Sequence, residues 1–277
     1  MEASEKLWLG SEAKTAGVTY LTEGLHEFEL SNGARFTIYA SPWQPLFMNW
    51  AFNYPHNEDR WNPPALVDLE TGHKGEPAIL APREHDPHYI PEGGEVDIVM
   101  THGPPWKHRD RCQNGYEAGC PHLLRALNRV RPRLHCFGHI HEAWGAERVT
   151  WGEERHRMVG TLDEKDNRIL GEAAEWIISE NSPSMNPKDD KVIEQRAVYL
   201  DVSNSSDQPL KAGKETIFVN SSIMTFSYQP EGAGRLVDLE LPLNQGKAIG
   251  TGTALMVPRP KEDNSLKVQS NGMLRPT

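Results

Sequence analysis

Cysteine is scarce: Cys112, Cys120 and Cys136 are the whole complement of 277 residues. So sparse and odd a set excludes a disulfide framework, and reduced thiols fit a cytoplasmic setting. Long apolar runs are absent as well, the longest being a handful of residues, far short of a membrane span. The start, Met1-Glu2-Ala3-Ser4-Glu5-Lys6, lacks the basic-then-apolar layout of a secretory leader. A soluble, intracellular chain with no membrane partner is expected. Positive charge is also short: 29 Lys and Arg face 39 Asp and Glu, a formal net charge of −10. Such a chain repels nucleic-acid backbones, so no duplex partner is expected, and holding a phosphate calls for a metal ion. Apolar residues make up 37% of the chain and its mean hydropathy is −0.62, low for a globular protein. Yet 8 Trp, 7 Tyr and 7 Phe exclude a wholly disordered chain, so the expectation is an ordered body diluted by polar insertions. With phosphate binding referred to a metal, the 12 histidines become the first place to look.

What is present reads first as β structure. Val18-Thr19-Tyr20-Leu21 is a short strand candidate, and His26–Leu30 and Ala34–Tyr39 are two further runs. Ser31-Asn32-Gly33 joins the latter two, and its Asn-Gly pair favours a tight hairpin. The aromatic-rich stretch Phe47–Trp61 has no clean period and reads as a packed loop. Its tryptophans, together with Trp43, suit packing, and they could also line a substrate mouth. From about 62 to 94 the chain is rich in Pro, Gly and charge and reads as a polar insertion.

The middle carries the clearest order. Val96–Met100 is a buried-strand candidate ending at Thr101-His102-Gly103-Pro104-Pro105. Leu123, Leu124, Leu127 and Val130 lie at helical spacing, with Pro121 suited to a first turn and Pro132 just beyond the end. Arg133–Phe137 is a second strand ending at Gly138-His139-Ile140-His141-Glu142. Strand, helix, strand implies a parallel crossover, so both strands finish at one sheet edge, where α/β folds bind ligands. That edge collects His102, His139 and His141, and neutral imidazole is the commonest transition-metal ligand. Gly103 and Gly138 leave room for the backbone to bend beside them. His122, at the helix start, and His135, within the strand, read as structural. Cys120 and Cys136 read as buried thiols. Beyond residue 151 a second polar insertion is expected over about 152–214, with a helix near Leu170–Ile178. Order returns at Thr216–Asn220 and Arg235–Leu241, and 244–277 reads as a disordered tail behind a single domain over 1–243.

The segments VDIVMTHGPP (96–105) and LHCFGHIHEAWG (134–145) resemble the two C-terminal motifs of the calcineurin-like metallophosphoesterase superfamily. Within it, they are most similar to the metallophosphoesterase domain-containing family related to cyclic-nucleotide phosphodiesterases. Tyr39–Pro45, Trp50-Ala51-Phe52, Phe218–Ser222 and Val237–Pro242 resemble further pieces of that family, in its order. The resemblance covers about half the chain. It implies an α/β fold, a four-layer α/β/β/α sandwich, and hydrolysis of a small phosphomonoester or phosphodiester by metal-activated water. His102 and His139 would hold one divalent ion and His141 another, with Mn, Fe or Zn as the candidates. Asp110 is expected to cap its loop or orient a ligand, and Glu142 to orient His141.

The family pattern also has three earlier motifs, Asp-x-His, Gly-Asp-x-x-Asp and Gly-Asn-His-Glu/Asp. The forty or so residues before Tyr39 leave too little room for them. Gly24-Leu25-His26-Glu27 mimics the third, but Leu25 cannot coordinate a metal. Asp86-Pro87-His88 mimics the first, but it follows no apolar strand and comes too late. The sandwich is therefore expected to be incomplete, through a short gene model, an isoform or a degenerate paralogue. The alternative function is a non-catalytic metal-binding or interaction relic. A chain short of its first strands is also expected to self-associate or to need a partner strand.

Overall fold

A computed structural model describes residues 6–66, 79–80, 89–92, 96–152, 197–225, 227, 229–230 and 232–242. The expected helix at 170–178, the mimic at 86–88 and the tail from 244 lie outside these residues. No described helix is long and apolar enough to cross a membrane. Near the start, α1 (Ser11–Thr15) is a short helix. The strand expected at Val18–Leu21 does not form. The Val18 N–H instead closes the helix end on the Ala13 carbonyl at 2.9 Å, and Val18 and Tyr20 are exposed.

Strands β1 (Gly24–Glu29) and β2 (Arg35–Ser41) form the expected antiparallel hairpin, with Phe28 opposite Phe36. The Asn-Gly pair acts differently from a two-residue turn. Gly33 alone takes a left-handed backbone (φ 84°), the Gly33 N–H bonds to Leu30 O at 2.8 Å, and the Asn32 carboxamide accepts the Ala34 N–H. This is a tight turn followed by a left-handed residue, the usual longer hairpin connection. Four two-residue strands follow: β3 (Gln44–Pro45), β4 (Asn53–Tyr54), β5 (Glu58–Asp59) and β6 (Ile79–Leu80). The expected packed loop divides in two. Tyr54 and Trp61 are buried and hydrogen-bonded to each other, whereas Phe47 and Trp50 stand exposed.

The crossover comes next: β7 (Ile98–Thr101), α2 (Pro121–Val130) and β8 (Leu134–Phe137), with β7 and β8 parallel and Ile98 opposite Leu134. Pro121 stands at the helix start, and Cys120 caps it through Sγ, which accepts the Leu123 N–H. Then come β9 (Gly145–Thr150), β10 (Ala197–Asp201), β11 (Glu215–Asn220) and β12 (Gly234–Asp238). The main sheet has the order β1-β2-β7-β8-β11-β9, parallel in the middle and antiparallel at both edges.

One face of this sheet, with Tyr39, Val99, Phe137 and Phe218, packs on Leu123, Leu124 and Leu127 of α2. The other, with Ile38, Ile98, Leu134 and Ile217, packs on Leu200, Val202 and Val237 from the small β10–β12 sheet and its flanks. Helix, sheet and second sheet are three of the four layers of the α/β/β/α sandwich, so the α/β fold stands in its incomplete form. The two stretches expected as insertions contain some ordered residues. Asn62 and Ile90 are buried within 62–94, and β10 with its buried Val198 and Leu200 lies within 152–214.

Candidate functional site

The parallel crossover brings the ends of β7 and β8 side by side, and the backbone ties them there. The Gly138 N–H bonds to His102 O at 2.9 Å, and the His102 N–H to Ser41 O at 3.2 Å. His139 follows at φ 69°, and Ile140 N–H closes a three-residue turn on Gly138 O at 2.8 Å. A left-handed backbone at a residue with a Cβ is strained and persists only where its surroundings hold it. Its effect here is to aim the His139 ring at His102. His102 Nε2 and His139 Nδ1 stand 3.1 Å apart, with ring centroids at 4.8 Å.

Both imidazoles are biased toward the neutral form. Burial lowers the His102 pKa, and His141 lowers it further. Burial, then His102 and His141, push His139 down to about 4. His141 opens the short turn His141–Ala143, and its Nδ1 lies 3.4 Å from the Thr225 carbonyl oxygen.

The donor chemistry of the pair suits a divalent ion. Two imidazole nitrogens sharing an ion at about 2.0–2.1 Å would be separated by about 2.8 Å at a right angle and about 3.4 Å at the tetrahedral angle, and the observed 3.1 Å lies between the two. Among the described residues, no three His, Cys, Asp or Glu side chains converge closely enough to hold an ion. His102 and His139 are thus two ligands' worth of a site, and His141 is turned toward Thr225.

The remaining expected residues sit as follows. Asp110 is buried, and its Oδ2 accepts the Lys107 N–H at 2.8 Å and the Gly119 N–H at 2.9 Å. It caps its loop. Burial, partly offset by those two N–H donors, raises its carboxyl pKa to about 6. Glu142 follows His141 with an exposed side chain. His135 is a core histidine, as expected: Nε2 lies 2.9 Å from Thr101 Oγ1, which donates its own proton to Gly103 O at 2.7 Å. His135 must therefore donate through Nε2–H, leaving Nδ1 unprotonated. His122 is buried, with Nδ1 3.5 Å from the Asp59 carboxylate. The mimic at Gly24–Glu27 falls in β1, where the His26 ring bonds to the Thr22 carbonyl.

Two residues were missed. Asn220 ends β11 fully buried, and its Nδ2 donates both to Ile140 O at 2.8 Å and to Arg109 O at 3.0 Å. One carboxamide thus fastens the two motif loops together. The available signal was an Asn closing an apolar strand in Phe218-Val219-Asn220. His108 is buried, with Nδ1 2.7 Å from Glu147 Oε1 and its ring edge-on to Phe218. Its signal was a further histidine shortly after the Thr-His-Gly-Pro-Pro motif.

Comparison with known proteins gives partial matches. Residues 113 long at 39% identity are shared with "UPF0046 protein T07D4.2" of Caenorhabditis elegans, covering 39% of this chain and 22% of that protein. Over 115 residues the chain is likewise 39% identical to "Metallophosphoesterase domain-containing protein 1" of Homo sapiens and of Mus musculus, covering 40% of this chain and 27% of each relative. The chain thus matches about a quarter of these relatives' own length. Residues 5–143, half the chain and both histidine motifs, match the calcineurin-like phosphoesterase family, and the chain belongs to that family.

Proposed function

We propose that this chain acts as a metal-dependent phosphoesterase, hydrolysing small phosphomonoesters or phosphodiesters. The observation that carries the reading is the His102–His139 pair, two imidazoles biased toward the neutral form, with nitrogens 3.1 Å apart on adjacent parallel strand ends. His102 and His139 would hold one divalent ion and His141 would serve a second, with Mn, Fe and Zn suited to imidazole. Such ions, when bound, supply charge for the phosphoryl oxygens and lower the pKa of water. The chain's own contribution is placement. The turn at His139 aims one ring at the other, and Asn220 holds that turn against the loop after His102. The lowered pKa values keep nitrogen lone pairs free near neutral pH.

A second reading, a metal-binding module without turnover, is favoured by one observation: His141 faces the Thr225 carbonyl rather than completing a three-ligand set. The two separate in one experiment. Hydrolysis of an aryl phosphodiester with added Mn²⁺ is compared with Mn²⁺ affinity by calorimetry, for the parent chain, His102→Ala and His139→Ala. Catalysis predicts turnover that falls at least about a hundredfold in both variants, with affinity falling in parallel. Metal bound without turnover supports the module, and no histidine-dependent metal binding at all overturns both.

A further inference from the structure

Beside the histidine pair stands an apolar surface that burial would ordinarily claim. The loop between β3 and β4 exposes Leu46, Phe47, Met48, Trp50 and Phe52, with Met48 69% and Trp50 48% accessible. It is not a slack loop. The Asn53 carboxamide grips it from inside: Oδ1 accepts Gln44 Nε2 at 3.1 Å and the Phe47 N–H at 3.4 Å. Nδ2 donates to Phe47 O at 3.2 Å and Met48 O at 3.3 Å. Backbone bonds from Gln44 to Phe52 and from Leu46 to Tyr54 close its base. Met48 and Phe52 both take left-handed backbones, at φ 50° and 59°, a strain such a grip sustains. At the root, Phe52 packs edge-on against Trp43, whose ring lies 4.1 Å under the Arg60 guanidinium.

The loop is therefore held in shape with its aromatic side chains facing water. Phe47 and Trp50 meet edge-to-face at 5.2 Å, and each sets its ring against His139, at 5.7 Å and 6.0 Å. Preorganised, exposed aromatic surface of this kind marks a recognition site. Its contact with His139 says what is recognised there: the organic group of whatever places its phosphorus at the histidines. The chain's net charge of −10 gives an anionic ester little general attraction, so apolar contact has to supply affinity.

We infer that Phe47 and Trp50 form a specificity wall selecting phosphoesters that carry a flat aromatic substituent, which packs on the two rings while the phosphoryl group lies at His102 and His139. This rests on the phosphoesterase reading of the same histidines. Aliphatic esters of the same charge lack the ring and bind less well.

The test is calorimetric binding of phenylphosphonate and methylphosphonate, two probes with one phosphoryl head and no cleavable ester, to the full chain with Mn²⁺. It is repeated with Phe47→Ala/Trp50→Ala and with His139→Ala. Expected is at least about tenfold tighter phenylphosphonate binding, equivalent to about 1.4 kcal/mol. That preference disappears in the double variant while methylphosphonate affinity holds. Equal binding of the two probes by the parent chain, or a preference that survives the double variant, overturns the wall and leaves the phosphoesterase reading standing. Binding of neither probe, or binding that ignores His139→Ala, overturns the phosphoesterase reading, and the wall falls with it. Equal binding together with concentration-dependent association that the double variant abolishes assigns the patch to a second copy of the chain and overturns the wall. Both replaced side chains are exposed, and an unchanged melting temperature confirms that the double variant is folded.

Discussion

Asp110 shows how much one buried carboxylate can organise without touching the chemistry. A single oxygen accepts two backbone N–H groups from either side of it in the loop, Lys107 three residues before and Gly119 nine residues after. Burial raises its pKa to about 6, so near neutral pH the ionised form carries a desolvation cost. Asparagine presents one carbonyl oxygen of similar placement and no charge. Asp110→Asn should therefore leave stability at pH 7 within about 1 kcal/mol of the parent. Asp110→Ala orphans two buried N–H groups and should cost about 2–3 kcal/mol. Urea unfolding midpoints check both. A short polar run in the sequence signals a loop and a cap, but the N–H groups being capped depend on how the loop doubles back.

Among the elements, the loop after His102 and the start of α2 are zipped together. Trp106 N–H bonds to Cys120 O, and Cys120 N–H to Pro104 O. Gly119 lies in that seam, and a Cβ there would stand 2.3 Å from Pro105 O and 2.6 Å from Trp106 Cα, backbone atoms that cannot swing away. Gly103, which the sequence marks as the glycine making room beside the ligand, has only an ordinary neighbour at 3.9 Å. Gly119→Ala should accordingly cost more than about 3 kcal/mol, and Gly103→Ala less than about 1 kcal/mol. Guanidinium denaturation of the two variants decides it. Helix α2 itself was legible from Pro121, its leucine spacing and Pro132. The burial of its polar residues was not: Arg129 reaches the carbonyls of Trp61 and Ile90, the latter at 2.7 Å, and the Asn62 carboxamide reaches His122 O. Those partners lie 39 to 68 residues away, beyond any helical period.

At the scale of the whole molecule, His135 sits where the main sheet meets α2, its ring edge-on to Phe218 and fully buried. Burial, then His108, push its pKa down to about 3. In the unfolded chain it titrates near the ordinary histidine value, about 6.5. Between those values the unfolded state binds more protons than the folded one, so stability rises with pH there. The contribution is complete above about pH 6.5 and is lost as pH falls. From pH 7.5 to pH 5 the parent should lose about 2 kcal/mol more than His135→Gln. Thermal or urea unfolding of the pair at the two pH values measures the difference, and equal losses would remove His135 from the acid response. His135 read as structural from its place inside a strand. The identity of its partner, Thr101, follows from β7 and β8 being neighbours.

What the sequence determined by itself is what acts over short stretches of chain. The hairpin came from alternation around Asn32-Gly33, the crossover from two apolar strands flanking a leucine-spaced helix, and the co-location of His102 and His139 from that crossover. Periodicity and turn chemistry operate within about ten residues and need no knowledge of the rest. What only the tertiary structure decided involves partners far apart along the chain. β11 enters between β8 and β9, Asn220 fastens loops 80 and 111 residues away, and β10 emerges from what reads as insertion. The exposed aromatic loop comes to rest on His139 for the same reason. Such contacts depend on which chain closures the packed layers repay, and composition alone carries no record of that.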